Sequence, residues 1–192
     1  MSPRIFCYDT EFLEDGHTID LISIGIVCSD RREYYAVNSD MDEQRIKKDD
    51  WLCQNVVPHL PVNNPPEKFE NTWIWSLNRR STLLKPKWVI ANEVREFIAG
   101  CCEEGDTPFM WADHAAYDHL ALAQLFGKMI HLPKGIPMYT HELQQLLNQI
   151  PGNWKPPKQY SGTKHHALDD ARHTMHVYNA AMEALRDGQG NR

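Results

Sequence analysis

The stretch Ile5-Phe6-Cys7-Tyr8-Asp9-Thr10-Glu11 decides how this chain is read. Its apolar run fits a strand over about 4–11, greasy on both faces as a central strand of a covered sheet must be. Residues two apart on a strand project from one face, so Asp9 and Glu11 stand side by side at its C-terminal end. Two unpaired carboxylates there repel one another and are costly to desolvate. A hard divalent cation such as Mg²⁺ relieves both penalties, because it prefers oxygen ligands.

Outward from this strand, Asp20–Val27 reads as a second strand and Glu33–Val37 as a third, joined by a turn at Asp30-Arg31-Arg32. Connections this short predict an antiparallel meander. The periodicity then predicts a helix over 42–57, a loop through the prolines of 58–66, and a helix over 86–99 ending near Gly100. A strand over 109–112, a helix over 114–126, a strand over 137–140 and a helix over 141–149 follow. Residues 151–164 read as a loop rich in Pro, Gly and Lys, and the last helix spans 166–186. A meander followed by alternating helix and strand predicts an α/β fold, a mixed five-stranded sheet flanked by helices. Residues 1–186 read as one domain, and 187–192 as a frayed, disordered tail.

With 192 residues, 42% of them hydrophobic, the chain can bury a substantial core. No run of about 18 apolar residues predicts a membrane span, and the first residues carry no signal-peptide pattern. The cysteines at 7, 28, 53, 101 and 102 are odd in number and lack Cys-x-x-Cys spacing. That pattern argues against a disulfide framework or a zinc site and for a reducing, cytoplasmic compartment. The net charge of −6 is the wrong sign for gripping nucleic acid over the whole surface. Four clustered carboxylates would account for much of it, and two Mg²⁺ ions would offset those four.

Two more acids stand where acids are unexpected. Ala115, Asp118, Leu122 and Leu125 form the apolar stripe of helix 114–126, which predicts that Asp118 is buried. Asp113, just before, suits an N-cap. On the last helix Asp169 shares a solvated face with Arg172, His173 and His176. Asp170 shares a face with Ala167, Thr174, Val177 and Ala181, whose small side chains permit close approach to the sheet. Asp170 is therefore the inward acid. Among ten histidines, His165 is singled out by its spacing to Asp170.

Taken in order, Asp9-x-Glu11, Tyr117-Asp118 and His165-x-Ala167-x-x-Asp170 resemble the three motifs of the DEDDh 3′→5′ exonucleases. That group includes RNase T, oligoribonuclease and polymerase proofreading subunits, and has the RNase H-like fold. Tyr8–Phe12, Glu14–Thr18, Leu21–Gly25, Arg32–Val37 and Ala116–His119 look like the small bacterial polyadenylate-specific exoribonucleases of the AS type. Phe12 stands where proofreading enzymes usually carry Thr, and Asp113 where many relatives have Asn.

The resemblance implies a metal-dependent 3′→5′ exoribonuclease that releases nucleoside 5′-monophosphates such as AMP from single-stranded RNA 3′ ends. It implies Asp9, Glu11, Asp118 and Asp170 as ligands of two Mg²⁺ ions, with Mn²⁺ as a substitute, and His165 as general base. Adenylate-rich ends are the expected preference and a homodimer the expected assembly. A DNA exonuclease, an enzyme of short oligoribonucleotides, or a silent RNase H-like binding module are the alternatives. Trp154, Lys155, Lys158, Tyr160 and Lys164 interleave basic and aromatic residues, which reads either as phosphate contact with base stacking or as a solvated loop. Phe12 and His17 are placed to touch the terminal nucleotide. Trp73 and Trp75, beside Arg79 and Arg80, read better as core or dimer packing.

Overall fold

The computed structural model describes residues 2–159 and 162–190. Three long strands open the chain: β1 (Ser2–Glu14), β2 (Ile19–Cys28) and β3 (Glu33–Asn38). They form the expected meander, β2 running antiparallel to both neighbours. Two short helices follow, α1 (Glu43–Ile46) and α2 (Asp50–Asn55), then a 3₁₀ turn at Val57–His59. The sequence predicted one helix across this stretch. Asp49 breaks it: itself extended, it accepts from the Leu52 N–H, whereas Asp42, accepting from the Gln44 and Arg45 N–H groups, caps the start. Each starts a new helix at its own N-cap.

The small hairpin β4 (Glu67–Phe69) and β5 (Thr72–Ile74) and the edge strand β6 (Leu84–Lys85) come next. They are too short to carry a readable alternation. The rest alternates as expected: α3 (Lys87–Cys101), β7 (Asp106–Ala112), α4 (Ala115–Gln124), a 3₁₀ turn at Met129–His131, β8 (His141–Glu142), α5 (Leu143–Leu147) and α6 (Ala167–Gly190). The expected strand over 137–140 lies slightly later, at β8. The last helix continues past 186 to Gly190, through residues read from the sequence as a tail, because an established helical ladder propagates at little cost. Asn191 and Arg192 lie outside the described residues.

The main sheet has the order β6-β3-β2-β1-β7-β8. β7 lies parallel to β1 and β8 parallel to β7. This is the RNase H-like arrangement, an antiparallel meander continued by parallel strands, with β6 added to the β3 edge through Val37 and Asn38. Alternation along β1 sorts the core into two layers. Phe6 and Tyr8 pack with Ile90, Val94 and Ile98 of α3 and with Ala121 and Leu122 of α4. Cys7 packs the other way, with Leu143 and Leu146 of α5 and Ala171, Met175 and Tyr178 of α6. A further cluster around Ile46, Leu52, Trp73 and Trp75 anchors the inserted segment, so both tryptophans are core residues.

One glycine decides how closely α6 sits. Gly25 pairs with Asp9 in the β1–β2 register. A Cβ on Gly25 would lie 2.4 Å from the Leu168 Cα, inside the backbone of the first turn of α6. Only glycine permits that approach. It brings the start of α6 down beside the two acids of β1.

Candidate active site

Asp9 and Glu11 project from the α6 face of β1, on the same side as Cys7. The β1–β2 register slips between Glu11 and Phe12, a bulge that twists the strand end where the acids stand. Asp170 arrives from the first turn of α6. Its Oδ2 accepts the His165 N–H (2.7 Å) and its Oδ1 the Gln159 side-chain amide (3.1 Å). Asp118 comes round from the opposite face on α4 and is buried, as its place on the stripe predicted. Its Oδ1 accepts both the backbone N–H (2.8 Å) and the hydroxyl (2.6 Å) of Thr10, the residue between Asp9 and Glu11.

His165 adopts a left-handed backbone, φ 62°, an uncommon conformation for a residue with a Cβ. The Trp51 ring meets its imidazole edge-to-face, with centroids 4.8 Å apart. Ligand atoms of Glu11, His165 and Asp170 all lie within 4.8 Å of one another. Asp169 faces the other way, paired with Arg172 and accepting the Thr163 N–H (2.9 Å).

All five residues line one open cleft of about 640 Å³. Phe12, Lys158 and Lys164 line it too, whereas His17 and Lys155 do not. His17 sits in the exposed β1–β2 turn, its N–H donating to Asp15 (3.0 Å). Lys155 lies exposed in the loop after α5, and Trp154 packs against the α5–α6 core. The interleaved pattern therefore divides between packing, solvent and cleft, while Tyr160 lies outside the described residues.

Asp113 corrects the sequence reading. The N-cap position of α4 is His114, in a left-handed conformation and without a side-chain cap. Glu142 of β8 takes over that task, accepting the His114 (3.1 Å) and Ala115 (2.8 Å) N–H groups. Asp113 instead accepts from the Gln144 amide (2.7 Å) and lines the cleft. The parallel β7–β8 pairing places Glu142 there, and sequence distance hid it. Gln159, His173 and Thr174 also line the cleft unforeseen. The signal for Gly25 was present: a glycine inside a strand marks close approach.

The cleft is electrostatically unbalanced. Burial, then the charges of Asp118, Glu11, Asp170 and Asp113, hold Asp9 well above the usual carboxylate range. Burial, then Asp170 and Asp118, push Glu11 up to about 8. Asp118 rises only to about 6, because burial is opposed by the two Thr10 hydrogen bonds. A set of carboxylate oxygens under mutual repulsion suits hard divalent cations, and it is the wrong donor set for soft ones.

Against known proteins, residues 4–182 match the model of the 3'-5' exoribonuclease Rv2179c-like domain. The chain belongs to this 3'-5' exoribonuclease family. Two similar relatives are the 3'-5' exoribonucleases Rv2179c and MT2234.1 of Mycobacterium tuberculosis, from strains H37Rv and CDC 1551. Each is 37% identical over 185 residues, covering 96% of this chain and 97% of the relative. The family assignment spans β1 to α6, so the converging acids fall within the matched region. Among the described residues, no helix is long and apolar enough to cross a membrane.

Proposed function

We propose that this chain hydrolyses single-stranded RNA from the 3′ end, one nucleoside 5′-monophosphate at a time, with the aid of two divalent cations. The observation that carries the reading is the meeting of Asp9, Glu11, Asp118, Asp170 and His165 in one cleft. Asp9, Glu11, Asp118 and Asp170 would hold two Mg²⁺ ions, or Mn²⁺ in their place. When bound, such a pair activates the attacking water and neutralises charge on the phosphate and the leaving 3′ oxygen.

The chain's own groups divide the remaining work. His165 takes the proton from the water, the general-base task that a histidine side chain most often fills. The His165 backbone N–H donates to Asp170 and so ties the residue carrying the base to a carboxylate of the same site. Thr10 fixes one Asp118 oxygen with two hydrogen bonds and so holds the carboxylate at the cleft that Asp118 lines. Lys158 and Lys164 draw the phosphate backbone into the acid-lined groove. Phe12, stacked on Tyr117 with centroids 5.8 Å apart, offers a ring for the terminal base.

Adenylate-rich ends are the preferred substrate in this reading, and DNA or short oligoribonucleotides are the competing ones. Five free cysteines suit a reducing, cytoplasmic setting. Exposed Met129, Ile130, Met138 and Tyr139, in the segment between α4 and β8, support pairing of two copies. Sedimentation of the purified chain checks that assembly.

The deciding test uses 5′-labelled RNA and DNA oligomers with and without EDTA, for the wild type, Asp9→Ala and His165→Ala. A single-nucleotide ladder on RNA, lost with EDTA and in both variants, is expected. Internal cleavage products from the wild type would overturn the exonuclease reading, and equal rates on DNA would overturn the RNA preference.

A further inference from the structure

Cys28 closes β2, Asp30 lies in the turn after it, and Cys101 ends α3. One ligand atom from each, two sulfurs and a carboxylate oxygen, lie within 4.8 Å of one another. Both cysteines are 1% exposed, while Asp30 faces solvent. Cys28 pairs with Phe6 and shares its face of the sheet. The cluster is thus on the opposite face from Asp9 and Glu11, and three strand residues, about 10 Å, further from the cleft.

We propose, against the expectation drawn from cysteine spacing in the sequence, that Cys28, Asp30 and Cys101 form a second metal site, selective for a borderline-soft divalent cation of the zinc class. Two sulfurs and one oxygen are a donor set that magnesium rejects and zinc accepts. Ligand atoms around a tetrahedral zinc lie roughly 3.5–4 Å apart given metal–ligand distances of about 2.0–2.3 Å. The three ligand atoms, within 4.8 Å of one another, must close by up to about 1 Å to reach that geometry.

Charge closes around such an ion. Two thiolates and a carboxylate carry −3, a divalent cation +2, and Arg32 the remaining +1. Arg32 holds Asp30 through Nε (2.9 Å) and Nη2, and its Nη1 donates to the Gly100 carbonyl (2.6 Å). It therefore orients the carboxylate and ties it to the end of α3, as groups surrounding a metal site do. Each cysteine ligates as a thiolate, so each must give up its proton as the ion binds. Binding releases those two protons to solvent. The site would pin the C-terminus of α3 to the β2–β3 turn.

Titration of the purified chain with Co²⁺, in excess Mg²⁺ to saturate the carboxylate cleft, tests this. Thiolate-to-cobalt charge-transfer and tetrahedral visible bands should grow to one ion per chain and be bleached by Zn²⁺. Cys28→Ser and Cys101→Ser should abolish them, Cys102→Ser should retain them, and Asp30→Asn should weaken binding by at least about tenfold. Zn²⁺ should raise the thermal midpoint of the wild type and not that of Cys101→Ser. The wild type decides even where a variant folds poorly: no thiolate charge-transfer band at saturating Co²⁺ overturns the site. Bands that survive in both serine variants overturn it equally.

Discussion

Gly25 lies directly beneath Leu168, so close that a single methyl group on it would reach 2.4 Å from the Leu168 Cα. The neighbouring atoms are helix backbone and cannot rotate away. Because Gly25 is paired with Asp9, this contact sets the distance between the acids of β1 and the acid of α6. Gly25→Ala should push the start of α6, with His165 and Asp170, outward. A displacement of about 1 Å at a reacting site can cost roughly 100-fold in rate. Turnover should fall by about that factor while far-UV circular dichroism keeps the wild-type fold. Wild-type turnover in a folded Gly25→Ala protein would refute the spacing argument.

Thr10 acts on Asp118 through two hydrogen bonds, of which the hydroxyl contributes the shorter. Thr10→Val removes that bond and keeps the shape. Hydrogen bonds to charged groups contribute about 1.5–3 kcal/mol. The Asp118 carboxyl should titrate roughly 1–2 units above its value of about 6, and activity at pH 7 should drop about 2- to 10-fold, recovering as pH rises. A pH–rate profile of the variant against the wild type measures the shift.

Without cations the cleft should make the protein less stable as pH rises. The folded-state value of Glu11, about 8, lies above its ordinary value of 4.5. Between those limits the folded chain holds a proton that the unfolded chain has released, so stability falls with increasing pH. For Glu11 alone the full effect is on the order of 5 kcal/mol. Thermal melts in EDTA should therefore show a lower midpoint at pH 8 than at pH 5.5. Mg²⁺ should raise the midpoint more at pH 8 than at pH 5.5, because it binds the ionised carboxylates.

Lys158 and Lys164 line the cleft and Lys155 does not. Neutralising the first two to Gln should weaken binding of a single-stranded RNA and reduce the slope of log K against log salt by about 1.4, near 0.7 per phosphate contact. Lys155→Gln should leave the slope unchanged. Fluorescence anisotropy in Ca²⁺, over a salt series, reads all three variants.

Glu142 caps α4 from a neighbouring strand. Its replacement by Ala should cost about 1–2 kcal/mol of unfolding free energy, the usual range for a lost charged cap. Denaturant titration measures it, and a change below about 0.3 kcal/mol would show the cap to be dispensable.

Local sequence settled much of this protein. The alternation of β1, the tight turns of the meander, the apolar stripe carrying Asp118 and the small-residue face carrying Asp170 are all near-neighbour patterns. Strand and helix periodicity fixes which way a side chain points, and four acids pointing into a core need a common reason. The short elements were not legible, since β6 and β8 have two residues each and so no period to read. Nor was the break between α1 and α2, where the Asp49 cap overrode a continuous helical pattern.

Tertiary structure decided the rest, because it depends on residues remote in the chain. Only the parallel docking of β8 on β7 shows that Glu142, and not Asp113, serves α4. Only the packing of α6 on Gly25 turns four separate carboxylates into one cleft with mutual repulsion. Only the meeting of the β2 end with the α3 end places Cys28 beside Cys101. A sequence reveals which faces its residues take, but folding brings those faces together, and the energies that matter here act across that contact.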